Sequence, residues 1–267
     1  MSNYYTKKAL SNSVMKHALI SLERFKFEWD NIDKPTDLTP ALIFGNLVHT
    51  LVLEPEEFNR RYAVNIYDGR TKEGKDFKIQ ADAIGLTIIK AEEYERAKAM
   101  VSALTNCQYV DPDLLAKMRF ILSLPDFEPE KEIYFTDSAT GLECKAKLDG
   151  YSREHNLVFD YKTIESLDSY KIQQNFVNYR YDLAVAQYSE AIKAEYGDEK
   201  FPTFIFCVQE KQEPYAFKLF TPSESMLATG FTKRAEVMAK LKEAFESDRW
   251  YSSTGVEELF MPEWVNK

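Results

Sequence analysis

Asp149, Asp160 and Lys162 have the types and spacing to do chemistry on a phosphate. The segments that carry them, CKAKLD ending at Asp149 and LVFDYK ending at Lys162, both read as strands with a turn between. A turn centred on Glu154-His155 sets Asp149 opposite Asp160 across an antiparallel hairpin, with Cβ atoms roughly 4.5–5.5 Å apart. Lys162 lies two residues beyond Asp160 and so points to the same face. Two carboxylates held together are costly unless a cation sits between them. A hard divalent ion such as Mg²⁺ suits the place, because it takes oxygen ligands and keeps waters for chemistry. Lys162 could then stabilise charge on a phosphate or orient the attacking water. An ordinary charged surface hairpin has the same spacing, and spacing alone leaves both readings open.

The elements that must position these residues follow from the pattern. Helices are expected over Lys8–Trp29 and Pro40–Leu53, the second with Thr39 as N-cap and Pro40 at its first position. Further helices are expected over Ala91–Leu104 and Pro112–Leu122. Strands Lys131–Phe135, Glu143–Ser152 and Leu157–Lys162 come next, then helices Ser166–Phe176 and Tyr179–Tyr196. Strands Thr203–Gln209 and Tyr215–Phe220 precede a long charged helix over Ser223–Ser247. That order predicts an α/β (α+β) fold in one domain over 1–267: about 1–125 mostly helical, about 126–267 holding the sheet core and the closing helix.

His49 stands on the apolar helix that begins at Pro40, on one face with Gly45 four residues earlier. Such a histidine is more often a core residue with one hydrogen bond, but its neutral imidazole could be a metal ligand. Gly45 fits a close approach by another backbone, since glycine otherwise costs a helix about 1 kcal/mol. Glu132, at the start of a strand, is either a further acid near a metal or an exposed strand end. The stretch Asp68-Gly69-Arg70-Thr71-Lys72-Glu73-Gly74-Lys75 reads as a loop whose Arg70, Lys72 and Lys75 could grip phosphates, or as a solvated loop with no partner.

A net charge of −9 argues against a protein that coats nucleic acid, but not against a nuclease, whose metal-binding site must itself be acidic. Hydrophobic residues at 45% and aromatics at 14% exclude a disordered chain. Cys107, Cys144 and Cys207 have no metal-ligand spacing, which points to a reducing compartment without a zinc or iron–sulfur centre. The start, MSNYYTKKALSNS, has no apolar core of a secretory leader, and Ala41–Leu53 is too short to span a bilayer. A cytoplasmic location is therefore expected, with no membrane partner.

Taken in order, Gly45-x-x-x-His49, Leu53-Glu54-Pro55-Glu56-Glu57-Phe58, Arg70-Thr71-Lys72-Glu73-Gly74-Lys75, Asp149-Gly150, Asp160-Tyr161-Lys162-Thr163 and Tyr188 resemble the PD-(D/E)XK nuclease superfamily. Within it the likeness is to RecE-type and related phage recombination exonucleases, which share the RecB-like nuclease core and are more distantly similar to lambda exonuclease. It runs from about Leu42 to Tyr188. No single piece is specific; several in the right order on plausible elements are. The resemblance implies that His49, Asp149 and Asp160 bind a divalent metal, Mg²⁺ or Mn²⁺, with the Tyr161 carbonyl as an additional ligand. It implies that Lys162 is the catalytic lysine, that Tyr188 borders the site, and that the basic stretch contacts substrate. The family degrades one strand of linear double-stranded DNA from its 5′ end, leaves a 3′ single strand for a RecT-like annealing protein, and forms rings. A homo-oligomeric ring, a trimer or tetramer, is therefore implied here.

One position departs from the pattern. The family glutamine four residues before the tyrosine is Ala184 here, while Gln187 lies one residue before Tyr188. Gln187 is expected either to reach the site in its place or to face solvent. Iron–sulfur relatives need four cysteines, and this chain has 3. Two alternatives of other classes remain: a nuclease fold that binds DNA ends or proteins without cutting, against which the complete Asp149, Asp160, Lys162 set argues, and an unrelated structural protein in which the motif is accidental.

Overall fold

In the computed structural model, which describes residues 4–34, 38–197, 200–251, 255, 256, 258 and 260, local sequence sets most element ends. The expected first helix is two: α1 (Asn12–Ala18) and α2 (Leu22–Asp30). Ser21 divides them, taking an extended backbone and accepting the Arg24 N–H on its hydroxyl as an N-cap. α3 (Pro40–Leu53) starts as expected, with Thr39 Oγ1 accepting from Leu42 N. A single 3₁₀ turn at Pro55–Glu57 leads into the short α4 (Phe58–Arg61).

Besides that turn and α4, three further elements are not expected from the pattern. β1 (Tyr62–Asn65) and β2 (Thr87–Lys90) pair in parallel, and α5 (Lys72–Ala83) connects them. The basic stretch is therefore not simply a loop: Lys72 and Lys75 stand on the first turn of α5, capped by Thr71 Oγ1, which accepts from Gly74 N. Gly74 belongs there because a Cβ would lie 2.2 Å from the Asp68 carbonyl oxygen. α6 (Ala91–Asn106) and α7 (Pro112–Leu122) complete this half.

The central sheet has the order β3-β4-β5-β6-β7, formed by Phe127–Thr136, Glu143–Ser152, Leu157–Ile164, Thr203–Glu210 and Phe217–Phe220. All neighbours are antiparallel except β5 and β6, which run parallel. A parallel pair needs a long crossover, here α8 (Ser169–Asn178) and α9 (Tyr181–Tyr196). α10 (Glu224–Ser247) closes the fold against α9.

Alternation along β5 sends its side chains into two cores. Val158 packs with α1, α2, α9 and α10, while Leu157, Phe159 and Tyr161 pack with α3, α6 and α7. Along β4 the alternation slips. Leu148 and Tyr151, three residues apart, both enter the α9 core. Between them the Phe127 ring lies where a Cβ on Gly150 would stand, 2.0 Å from its Cζ. Opposite the slip, Glu130 on β3 has a left-handed backbone with φ of 53°, a conformation that costs a non-glycine residue of order 1–3 kcal/mol. Two adjacent strands thus change phase together at Glu130 and Asp149.

Candidate active site

The hairpin register is the expected one, with Gly150 opposite Phe159, Tyr151 opposite Val158 and Ser152 opposite Leu157. Continued by one residue it would pair Asp149 with Asp160, but the pairing stops at Gly150. β4 parts from β5 there, and the Asp149 carboxylate takes the place of a backbone partner: its Oδ2 accepts the Tyr161 N–H at 2.8 Å. The same oxygen lies 3.0 Å from His49 Nε2 and 3.1 Å from Lys162 Nζ. Lys162 Nζ also lies 2.7 Å from Asp160 Oδ1. On the other side His49 Nδ1 meets Glu130 Oε1 at 3.0 Å, and Lys147 Nζ meets Glu130 Oε2 at 2.6 Å.

The structure thus brings together His49, Asp149, Asp160 and Lys162, as the spacing and the resemblance imply, and adds Glu130. Its carboxylate, the His49 imidazole and the Asp149 carboxylate offer ligand atoms all within 4.8 Å of one another. Glu132, read from sequence as either a further acid near a metal or an exposed strand end, is not part of this trio. Two residues further along β3, it lies 4.0 Å from Lys147 Nζ and 3.4 Å from the Tyr134 hydroxyl, outside the trio. The left-handed backbone at Glu130 lies at the residue directly opposite Asp149 in the β3–β4 register, and such an irregularity has no signature in charge or hydropathy.

Charge in this cluster is unevenly held. Burial raises the Asp149 carboxyl, but the Lys162 ammonium and His49 more than offset it and hold it well below the usual carboxylate range. Asp160, 2% exposed, is pushed up by burial, with the repulsion of Asp149 added and Lys162 opposing. Its Oδ1 has no hydrogen bond of good geometry, only the nearby ammonium. Burial works against a charged His49, but Asp149 and Glu130 prevail and push it up to about 10. Lys162 is raised well above its ordinary value because Asp149 and Asp160 outweigh its burial. Lys162, His49 and Lys147 supply the positive charge that these three acids need.

Those features fit a divalent cation. The donors are carboxylate oxygens and one imidazole, a set that suits Mg²⁺ or Mn²⁺. Asp160 Oδ1 is a buried acceptor with the Lys162 ammonium 2.7 Å away but no hydrogen bond of good geometry, which leaves it able to take an ion or water as well. His49, Asp149, Asp160 and Glu130 are the residues that would hold such an ion, His49 only after giving up its proton.

Tyr188 on α9 is 8% exposed and borders the cluster: burial, then the charges of Asp160 and Asp149, drive its hydroxyl well above its ordinary value. Tyr181, two helical turns earlier and missed by sequence reasoning, has the same neighbours, with Lys162 Nζ 5.7 Å from its ring centroid. A seven-residue spacing from Tyr188 was the available signal. Gln187 is corrected. It neither faces solvent nor reaches the site. Its Nε2 donates to the carbonyls of Leu10 and Lys145 at 3.0 and 3.1 Å, and its Oε1 accepts from Arg234 Nε at 2.9 Å. Ala184 is packed in the core beside it. Gly45 faces Thr163, but an added Cβ would meet only its hydroxyl at 3.9 Å, so no close approach requires the glycine.

Arg70, Lys72 and Lys75 are exposed, and α5 packs mainly on β1 and β2. Beside Lys162 a cavity of about 270 Å³ opens between α8 and the end of β5. A larger one of about 390 Å³ along α10 contains none of these residues. Cys107, Cys144 and Cys207 are free and buried, and among the described residues no helix is long and apolar enough to cross a membrane.

Fold and site together define a PD-(D/E)XK nuclease-like domain, a class that uses divalent metals. The chain belongs to the family described as "PDDEXK-like domain of unknown function (DUF3799)", which it matches over residues 11–260. No curated protein matches it. A crystal structure of a "Putative exonuclease" from Eubacterium rectale is 15% identical, with a TM-score of 0.58 over 91% of this chain and 84% of that one, and shares the fold. A solved structure of SSO0001, also 15% identical, covers 61% of this chain and 70% of its own, and superposes with a TM-score of only 0.30.

Proposed function

We propose that this protein is a divalent-metal-dependent exodeoxyribonuclease that degrades one strand of linear double-stranded DNA from its 5′ end. The observation that carries the nuclease reading is the meeting of Asp149, Asp160 and Lys162 where β4 parts from β5, with His49 and Glu130 closing the far side. A bound Mg²⁺ or Mn²⁺ would lower the pKa of a water and neutralise charge on the scissile phosphate. Asp149 and Asp160 orient Lys162 from two sides, so its ammonium is fixed before substrate arrives and can hold the charge that develops on the phosphate. Tyr181 and Tyr188 stand near the lysine on the α9 side, with Lys162 Nζ 5.7 Å from the Tyr181 ring centroid. No covalent step through the chain is invoked.

The 5′-to-3′ polarity, a ring-shaped homo-oligomer, a RecT-like annealing partner for the 3′ tail and a cytoplasmic setting rest on the resemblance of residues 42–188 to RecE-type exonucleases. The name given to the Eubacterium rectale protein agrees with an exonuclease. The test is nucleotide release by purified protein from linear duplex and from covalently closed circles, with Mg²⁺, Mn²⁺, Ca²⁺ or chelator. Linear DNA should be consumed with Mg²⁺ or Mn²⁺, circles should survive, and Ca²⁺ should permit binding without efficient hydrolysis. Substrates labelled at one end read the polarity. Cutting of circles would replace the exonuclease with an endonuclease, and no cutting by any metal would leave a binding module.

A further inference from the structure

We propose that the cavity between α8 and the end of β5 is a nucleobase-stacking subsite beside Lys162, with Tyr179 as its positioning residue. Its substrate class rests on the nuclease reading above. Three aromatic rings form a nearly parallel ladder from the core to solvent. Phe206 stacks on Tyr181 at 6.0 Å and 25°, and Tyr181 on Tyr179 at 6.0 Å and 23°. Phe206 is 1% exposed and Tyr179 is 55% exposed, so the ladder ends on a large ring left open to solvent. Phe176 braces it edge-on, 4.8 Å from Tyr181 and 5.1 Å from Phe206. These separations are those of favourable aromatic pairs, and a further flat ring would extend the series.

The ladder sits where the substrate must pass. Tyr179, Tyr181, Phe176, Asn175 and Lys162 line one cavity, so a phosphate held at Lys162 places its own nucleotide against the tyrosines. The position of Tyr179 is set by the chain: α8 ends there, and Arg180 follows with a left-handed backbone at φ of 59°, clamped onto Asp182 by bonds of 2.9 and 2.6 Å. Between Asp168 and Asp182 there is no acidic residue, and Glu165, the one acid lining the cavity, is paired with Lys211 Nζ at 2.8 Å. Asn175 supplies an amide able to meet a base edge. A flat, neutral, π-faced group attached to a phosphate suits this surface, and every base has such a face, so recognition here is independent of sequence.

The experiment is a cycle between Tyr179→Leu and a substrate that lacks the base at a nucleotide flanking the scissile phosphate. Each change alone should raise KM about tenfold, with a smaller effect on kcat. The two together should cost no more than either one, since the same stack is removed twice. Tyr179→Phe keeps the ring and should restore most of the loss. Additive effects, or a phenylalanine variant as impaired as the leucine one, would overturn the subsite while leaving the nuclease reading intact. If the parent protein cuts nothing, the nuclease reading fails, and the same cycle is read as duplex affinity in Ca²⁺: non-additivity there upholds the stack, and additivity or no DNA binding overturns it.

Discussion

Gln187 and Tyr188 are adjacent on α9 and serve two buried polar clusters of opposite character. Around Gln187 every partner is in place. Its amide donates to two backbone carbonyls and accepts from Arg234, Arg234 Nη2 meets Asp137 Oδ2 at 2.8 Å, and Asp137 Oδ1 accepts from the Thr140 N–H and hydroxyl. Around Tyr188 the charges balance but the hydrogen bonds are unevenly shared. One Asp149 oxygen faces His49, Lys162 and the Tyr161 N–H, while Asp160 Oδ1 has only an ammonium near it. A completed network fixes one arrangement of helix and sheet; an incomplete one keeps acceptors available to something that arrives later. Burial alone does not separate them, since Asp160 and Gln187 are both almost fully enclosed.

The largest effect that could break this contrast is at the open cluster. Asp160→Asn should abolish metal-dependent cleavage while leaving the thermal midpoint of the metal-free protein near its parent value, because a costly buried charge goes with the acid. Asp149→Asn should abolish cleavage too but lower the midpoint, because Lys162 and His49 lose the carboxylate that pairs them. Lys162→Ala should still bind DNA in Ca²⁺ and lose transition-state stabilisation of about 2.7–4 kcal/mol, the range for a lost oxyanion-type donor. Equal losses of affinity and rate would instead make Lys162 a phosphate anchor. Near-native turnover by either asparagine variant would show that the acids are structural after all.

At the completed cluster the outcome should reverse. Arg234→Met leaves Asp137 buried without its cation, and breaking such a pair costs about 3–5 kcal/mol of stability. Activity per folded molecule, measured well below the lowered midpoint, should stay near the parent's. Gln187→Ala should likewise cost stability, by about 1–3 kcal/mol for buried groups left unsatisfied. A Gln187→Ala enzyme of parental stability with a lower rate would return Gln187 to the site.

The contrast also explains what the sequence could show. Asp149, Asp160 and Lys162 were legible because a hairpin with a recognisable turn carries its register in the residue numbers. His49 needed the resemblance, since a histidine on an apolar helix has no signal of its own. Glu130 was not legible: its role depends on the β3–β4 register and on a left-handed backbone, neither written in local pattern, and the neighbouring Glu132 was the plainer candidate. Strand and helix ends from Glu143 onward follow alternation and caps closely, whereas β1, α5 and β2 were missed. Those two strands have four residues each, too few for a period to declare itself, and two glycines disguised the start of α5.

Acid separates the clusters by a smaller amount. Burial raises the Asp137 carboxyl, but hydrogen bonds from Thr140 and the Arg234 guanidinium more than offset it and hold it below its ordinary value. A depressed folded pKa contributes stability that is present above the unfolded value, about 3.9, and is lost as pH falls through the folded value. In Arg234→Met the guanidinium's share of that contribution is gone, while the Thr140 hydrogen bonds remain. The stability gap between parent and variant, measured by urea unfolding, should therefore narrow as pH falls below about 4. A gap constant from about pH 7 to about pH 3 would mean that Asp137 gains nothing from Arg234.

The smallest effect expected concerns surface rather than interior. If phosphates are gripped away from the open cluster, Arg70, Lys72 and Lys75 at the start of α5 are the residues proposed to do it. Their setting is mixed, because Asp68, Glu73 and Asp76 stand among them and all six are exposed. Replacing the three basic residues with alanine should weaken duplex binding and flatten its logarithmic salt dependence by up to about 0.9 for each phosphate no longer neutralised. The cleavage rate at saturating DNA should change little, since none of the three is among the neighbours of Lys162. An unchanged slope would make the segment a solvated helix start and confine substrate binding to the neighbourhood of the open cluster, where Tyr179 and Lys162 would have to account for it. A flattened slope together with a fall in the saturating rate would do the opposite and draw α5 into the site itself.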